Sequence, residues 1–365
     1  RDVWGSASEV PSWNPPPLYR CCGRGRVRPD TWCKAAEDPL RYYGPGMGYT
    51  PEDMRRLLFL MDRDIIIIGD STSSQWYRTL FCYLGGFESG LRYADSKLGV
   101  DIGRSFERAR PNFPYNTIKR NFVDAFHIPR KMLDPSHVMK NSVIFHKARK
   151  LEDNVLPDIM DYFNNEYTRD FSRPKPIFVM NLGLHYNLEE IGTSKAERHM
   201  ARFVQSDLKD HLKVLVTHCH KTDSQCIFRE SSPQSFETEA GDGLWPGVEV
   251  AGQCMKDAPK SFGTLSRWRN DALYEAIDEG MKEARPKDGY GGGYVRVMKI
   301  FDKLSGLDRN HHYTASDLNT LLNREDHLFD DCTHFTWDSN IWEPWHLSLT
   351  EVLEDLYDSN IVSVK

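Results

Sequence analysis

The chain has 365 residues, 39% of them hydrophobic, and a formal charge of −6 at pH 7. That apolar share is enough to build a substantial core and excludes a disordered chain. The mild charge, with no long basic block, argues against nucleic acid as the main partner, and no apolar run approaches the ~18 residues that span a bilayer.

Residues 1–50 combine Pro, Gly, Arg, Trp and Cys without a sustained period and read as an N-terminal arm packed on the main body. Within it, Arg20, Arg24, Arg26 and Arg28 read as a solvated surface rather than an anion site. Residues 51–365 read as one α/β domain with insertions, because short β-rich runs alternate with helical patterns. The first strand is Asp64–Ile68, a continuous apolar run of the kind buried on both faces. A helix follows over Ser73–Leu84, with Trp76, Leu80 and Leu84 at helical spacing. Further strands are expected at Ser142–His146, Pro176–Asn181, Val214–His218 and Val295–Phe301. Further helices are expected over Ser194–Leu212, Leu265–Glu283 and Ala315–Asn323. The predicted architecture is a flavodoxin-like, three-layer α/β/α fold on a parallel sheet of about five strands, with a ligand crevice at the strands' C-terminal ends.

Eight cysteines (Cys21, Cys22, Cys33, Cys82, Cys219, Cys226, Cys254 and Cys332) fit disulfides and a secretory compartment, the Golgi lumen or outside the cell. Their pairing does not follow from sequence, since eight cysteines allow 105 connectivities. The absence of any Asn-x-Ser/Thr acceptor pulls the other way. A start at Arg1 reads as a processed or truncated end, compatible with an upstream signal or membrane anchor. No metal is expected. His218, Cys219, His220 and Cys226 lack two separated ligand clusters, and the adjacent His311 and His312 point in different directions on any regular element. The Gly289–Gly293 stretch lacks the Lys-Ser/Thr of a phosphate loop and reads as a turn.

The chemistry centres on Gly69-Asp70-Ser71, where the Ile-rich strand ends and the next helix opens. A serine on such a turn presents its hydroxyl to the crevice, with the unpaired N–H groups and positive end of a helix behind it. Both favour a nucleophile that must form an oxyanion, although Asp and Ser are also ordinary helix-capping residues. Far downstream, Asp331-Cys332-Thr333-His334 sets a carboxylate three residues before an imidazole. On one helical turn the two share a side, so Asp331 can orient His334 while the ring takes the serine proton. Asp330 is a competing carboxylate, and a capping Asp beside a surface His is the plainer reading.

Four stretches together carry a resemblance. They are Gly69-Asp70-Ser71-Thr72-Ser73-Ser74-Gln75-Trp76 with Cys82 beyond it, Asn181-Leu182-Gly183-Leu184-His185-Tyr186-Asn187, Phe228-Arg229-Glu230-Ser231-Ser232-Pro233-Gln234-Ser235-Phe236, and Asp331-Cys332-Thr333-His334-Phe335 followed by Trp342-Glu343-Pro344-Trp345. In this order they resemble the motifs of the SGNH hydrolases, and more closely their PC-esterase branch. That branch includes trichome-birefringence-like polysaccharide O-acetyltransferases, neurexophilin-and-PC-esterase proteins and the sialate O-acetyltransferase domain. The resemblance implies an SGNH-like fold and a Ser71–His334–Asp331 triad. It also implies an oxyanion site built from Gly183, Asn181 and the Ser71 N–H, with His185 and Arg229 facing substrate or steadying the site. Two departures concern substrate or donor recognition: Ser74 stands where some relatives carry Arg, and Ser235 where many carry His. Trp337, Trp342 and Trp345 fit either sugar stacking or core packing.

The resemblance favours O-acetyl transfer to a glycan or polysaccharide, with an acetyl ester or acetyl-CoA as cosubstrate and no bound cofactor. A carbohydrate acetyl-esterase is the alternative within the same chemistry. A non-catalytic binding or assembly module on the same fold is the alternative from another class.

Overall fold

The computed structural model describes residues 51–84, 93–94, 122–129, 140–147, 155–167, 175–184, 186, 195–237, 253–255, 267–284, 294–305, 312–313, 330–335 and 339–363. The expected N-terminal arm, the helix over 315–323, the glycine-rich turn, His185 and Trp337 fall outside these residues.

The frame is a seven-stranded sheet. Its first strand, β1 (Ile65–Gly69), is buried at every position. Two strands, β2 (Tyr93–Ala94) and β3 (Phe122–Pro129), pair antiparallel with each other, and β3 pairs antiparallel with β4 (Lys140–Lys147). From β4 onwards every neighbour is parallel: β4 to β1, β1 to β5 (Ile177–Asn181), β5 to β6 (Gln225–Arg229) and β6 to β7 (Tyr294–Met298). The sheet order is β2-β3-β4-β1-β5-β6-β7. Counted along the chain, its five parallel strands stand in the doubly wound order 2-1-3-4-5, whose switch point falls between β1 and β5.

Period-two geometry sends alternate isoleucines of β1 to opposite sides. Ile65 and Ile67 enter one core with helices α1 (Pro51–Met61), α2 (Ser71–Tyr83) and α7 (Ser339–Ser363). Ile66 and Ile68 enter the other with α3 (Val155–Asp161), α4 (Lys195–Lys221) and α5 (Trp268–Ala284). The chain is therefore an α/β fold with helices on both faces of a largely parallel sheet. Each of the four isoleucines is at most 1% exposed, worth about 2 kcal/mol apiece in removed apolar surface. The remaining elements are a π-helical turn (Tyr162–Tyr167), a short α6 (Phe301–Leu304) and the two-stranded pair β8 (His312–Tyr313) and β9 (Asp331–Phe335).

Two expectations are corrected. Val214–His218 is not a strand but the penultimate turns of α4. Val216 lies on a helical stripe with Leu208, Leu212, Leu215 and Cys219, all buried against the sheet, while Val214 faces outward at 49% exposure. This one-sided burial at helical spacing overrides β-propensity. The strand expected there is Gln225–Arg229. Asp223, at φ 50°, ends the helix first, and Ser224 N–H reaches back to the Cys219 carbonyl at 2.9 Å in a Schellman-type closure. In addition, Phe301, expected to end a strand, opens α6.

Candidate active site

The site is built where β1 gives way to α2. Asp70 caps the helix: its carbonyl accepts the Ser74 N–H at 3.0 Å. Its Oδ1 accepts the N–H of Thr72 at 2.9 Å and of Ser73 at 3.1 Å, and the Thr72 hydroxyl at 2.7 Å. Capping consumes the second and third N–H groups of the helix. The first, on Ser71, has no acceptor among the described residues. Gly69 is required by contact, since a Cβ there would lie 2.2 Å from Ser73 Oγ and 3.0 Å from the Asn181 carbonyl.

Across the switch point, β5 ends at Asn181. Its side-chain amide, expected to face an oxyanion, donates instead to the Arg229 carbonyl at 2.9 Å and to Ser231 Oγ at 3.2 Å. Asn181 thus holds the chain leaving β6 against the end of β5. Asn270, near the start of α5, grips the same chain from the other side. It accepts the Ser231 N–H at 2.8 Å and donates to the Ser231 carbonyl at 3.1 Å. No motif in the sequence pointed to Asn270. Gly183 lies under Ser231, and a Cβ there would meet Ser231 Oγ at 2.3 Å. The Gly183 N–H has no acceptor among the described residues.

Arg229 is fully enclosed rather than presented to substrate. Its guanidinium donates to Ser73 Oγ at 2.8 Å, Thr72 Oγ1 at 3.3 Å and the Glu230 carbonyl at 2.9 Å, and it stacks 4.4 Å from the Trp345 ring centre. Burial pushes its pKa down to about 10, opposed by the charges of Asp70 and Glu230, so it stays cationic at neutral pH. The Glu230 carboxylate accepts the Tyr274 hydroxyl at 2.7 Å and the N–H groups of Ile300 and Phe301 at 2.7 and 2.8 Å. Trp342 and Trp345 are core residues, 3% and 0% exposed, and are closed to sugar stacking.

The remaining pair comes from β9. His334 Nδ1 meets Asp331 Oδ2 at 2.7 Å, with both side chains about nine-tenths enclosed. Asp331 rather than Asp330 meets the ring, while Asp330 Oδ2 faces the Cys254 N–H at 3.4 Å. The expected helical turn is absent, because residues 331–335 are a strand. Asp331 Oδ1 accepts the N–H groups of Thr333 at 3.1 Å and His334 at 3.0 Å, an Asx-type curl that brings positions i and i+3 together within a strand. Burial raises the Asp331 pKa, but the His334 charge and the hydrogen bonds from His334 and Thr333 outweigh it and hold the carboxyl below its ordinary range. No hydrogen bond joins Ser71 Oγ to His334.

Three ties bind β9 to residues 234–235 and 254. The Ser235 N–H donates to the Cys332 carbonyl at 3.0 Å, and Gln234 Nε2 donates to Thr333 Oγ1 at 3.0 Å. Cys332 is disulfide-bonded to Cys254. A second disulfide, Cys219–Cys226, joins the cysteines of the His218–Cys226 cluster, and His218 Nε2 lies 2.9 Å from the Asp161 carboxylate. Among the described residues no helix is long and apolar enough to cross a membrane. Compared with known proteins, the chain matches no protein-family model and no curated protein.

Proposed function

We propose that the chain is a serine acyl-transfer enzyme with an SGNH-like fold of the PC-esterase kind, acting as an O-acetyltransferase on a glycan or polysaccharide. The carrying observation is the 2.7 Å contact between His334 and Asp331, on a strand packed beside the capped helix that opens with Ser71. A histidine held by a buried carboxylate through Nδ1 keeps Nε2 as the basic atom. His334 then takes the Ser71 proton as Oγ attacks the acetyl carbonyl of an ester or thioester. The N–H groups of Ser71 and Gly183 hold the oxyanion. Collapse expels the donor alcohol or thiol, which leaves with the proton from His334. A glycan hydroxyl next yields its proton to His334 and attacks acetyl-Ser71, and His334 returns that proton to Ser71 Oγ as the acetylated sugar departs. Water in place of the sugar makes the same site an esterase. Asn181 and Arg229 position the segments around the serine, with no contact to the reacting atoms assigned to either. The two disulfides favour a secretory compartment, and an upstream membrane anchor is compatible with it.

Intact-mass analysis after incubation with an acetyl ester tests the reading. The wild type is expected to gain one acetyl group, mapped to Ser71, and Ser71→Ala none. Adding candidate sugars then separates transfer from hydrolysis by the product. Folded wild type with neither adduct nor ester turnover would leave a non-catalytic binding module.

A further inference from the structure

The serine and the dyad come from segments some 260 positions apart in the chain, so something must set their separation. Gln75 is 2% exposed and one turn beyond Ser71, on the same face of α2 and roughly 6 Å further along its axis. Its Oε1 accepts the Phe335 N–H at 3.3 Å, and its Nε2 donates to the Phe335 carbonyl. This two-point grip is the one a neighbouring strand would make, here supplied by a side chain from the nucleophile's helix. Phe335 directly follows His334. The ties of β9 to β8 and to residues 234–235 and 254 join it to other segments, whereas the Gln75 amide joins it directly to the nucleophile's own helix. The ring of Phe335 packs on Trp342 and Trp345 at 6.1 and 6.4 Å, which fixes the depth of the strand, while the paired amide fixes its rotation and its distance from α2.

We propose that Gln75 is a positioning residue of the reaction, holding the imidazole of His334 at working distance from Ser71. The role rests on the acyl-transfer reading. A misplacement of about 1 Å costs roughly 10²-fold in rate.

The test is the rate at which a fluorophosphonate labels Ser71, a step that forms the Oγ–P bond, expels fluoride and needs a working base. Gln75→Leu keeps the shape and removes both hydrogen bonds. Gln75→Glu keeps the acceptor for the Phe335 N–H and serves where the leucine variant does not fold. In folded variants, labelling and kcat on 4-nitrophenyl acetate are expected to fall by about 10²-fold for Leu and less for Glu, with KM nearly unchanged. The acid limb of the pH profile should keep its midpoint, because the Asp331–His334 pair is intact. A wild type that labels, with variants that label equally fast, overturns the positioning role alone. A folded wild type that neither labels nor turns over ester overturns the acyl-transfer reading, and the role of Gln75 with it.

Discussion

His346 on α7 is 2% exposed, and burial depresses its pKa to about 3. The folded protein therefore keeps the ring neutral while the unfolded chain protonates it near 6.5. Stability is present above that value and is lost progressively as pH falls from about 6.5 to about 3. His346→Gln is expected to flatten this loss, read as urea midpoints at about pH 7 and about pH 5. Asp331 acts in a lower window. Its depressed carboxyl contributes stability above the ordinary carboxylate value, lost only as pH falls through the folded one. Gly183→Ala must displace Ser231 Oγ, which Asn181 holds. On the proposed acyl-transfer reading, in which the Gly183 N–H holds the oxyanion, turnover is expected to drop about 10²-fold while the thermal midpoint moves little. Removing Arg229 strands Asp70 and Glu230 in the interior. Arg229→Met is expected to cost about 3 kcal/mol in denaturant unfolding.

At the scale of elements, β9 is a short strand secured largely by the Cys254–Cys332 crosslink, which closes a separation of 78 residues. Chain-entropy arguments assign such a closure about 4 kcal/mol. Replacing both cysteines by serine is expected to lower the thermal midpoint and to lower kcat more steeply than any substitution on the outer face of α4. The elements that position the site were unevenly legible. The isoleucine run of β1 and the capping residues after it are local signals, so strand, turn and serine are readable in order. The Asp331–His334 pair is readable as a pair, but not its backbone, because an Asx-type curl leaves the same i, i+3 spacing as a helical turn. The fate of Asn181 was hidden for another reason. Its amide is claimed by Arg229 and Ser231, partners 48 and 50 residues away. α7 was not readable because Pro344 interrupts the helical pattern among Trp342, Trp345 and His346.

At the scale of the whole molecule, the 2-1-3-4-5 strand order accounts for the location of the site. The chain leaves β1 toward the face that holds Trp76 and β5 toward the face that holds Leu182 and Tyr186. The two connections therefore part at the switch point, where α/β folds of this order commonly bind ligands. Ser71 and Gly183 follow the ends of these two strands. The alternation of strand and helix made the layered fold legible before any coordinates. The antiparallel β2–β3 edge was not, since such an extension needs no period of its own. A chain ending before Ser339 is expected to bind a dye for exposed apolar surface strongly and to lose cooperative unfolding, because Ile341, Trp342, Trp345, Leu349, Leu353 and Leu356 go with α7.

One face of the sheet is covered by helices from opposite ends of the described chain, with α1 and α2 early and α7 last. On a ribosome, which delivers residues in order, Ile65, Ile67, Trp76 and Leu80 emerge long before the helix that covers them. That face stays only partly covered until α7 has emerged, whereas α3, α4 and α5 can close the opposite face earlier. The interval over which the nascent chain leaves that face open is set by the distance along the chain from α2 to α7.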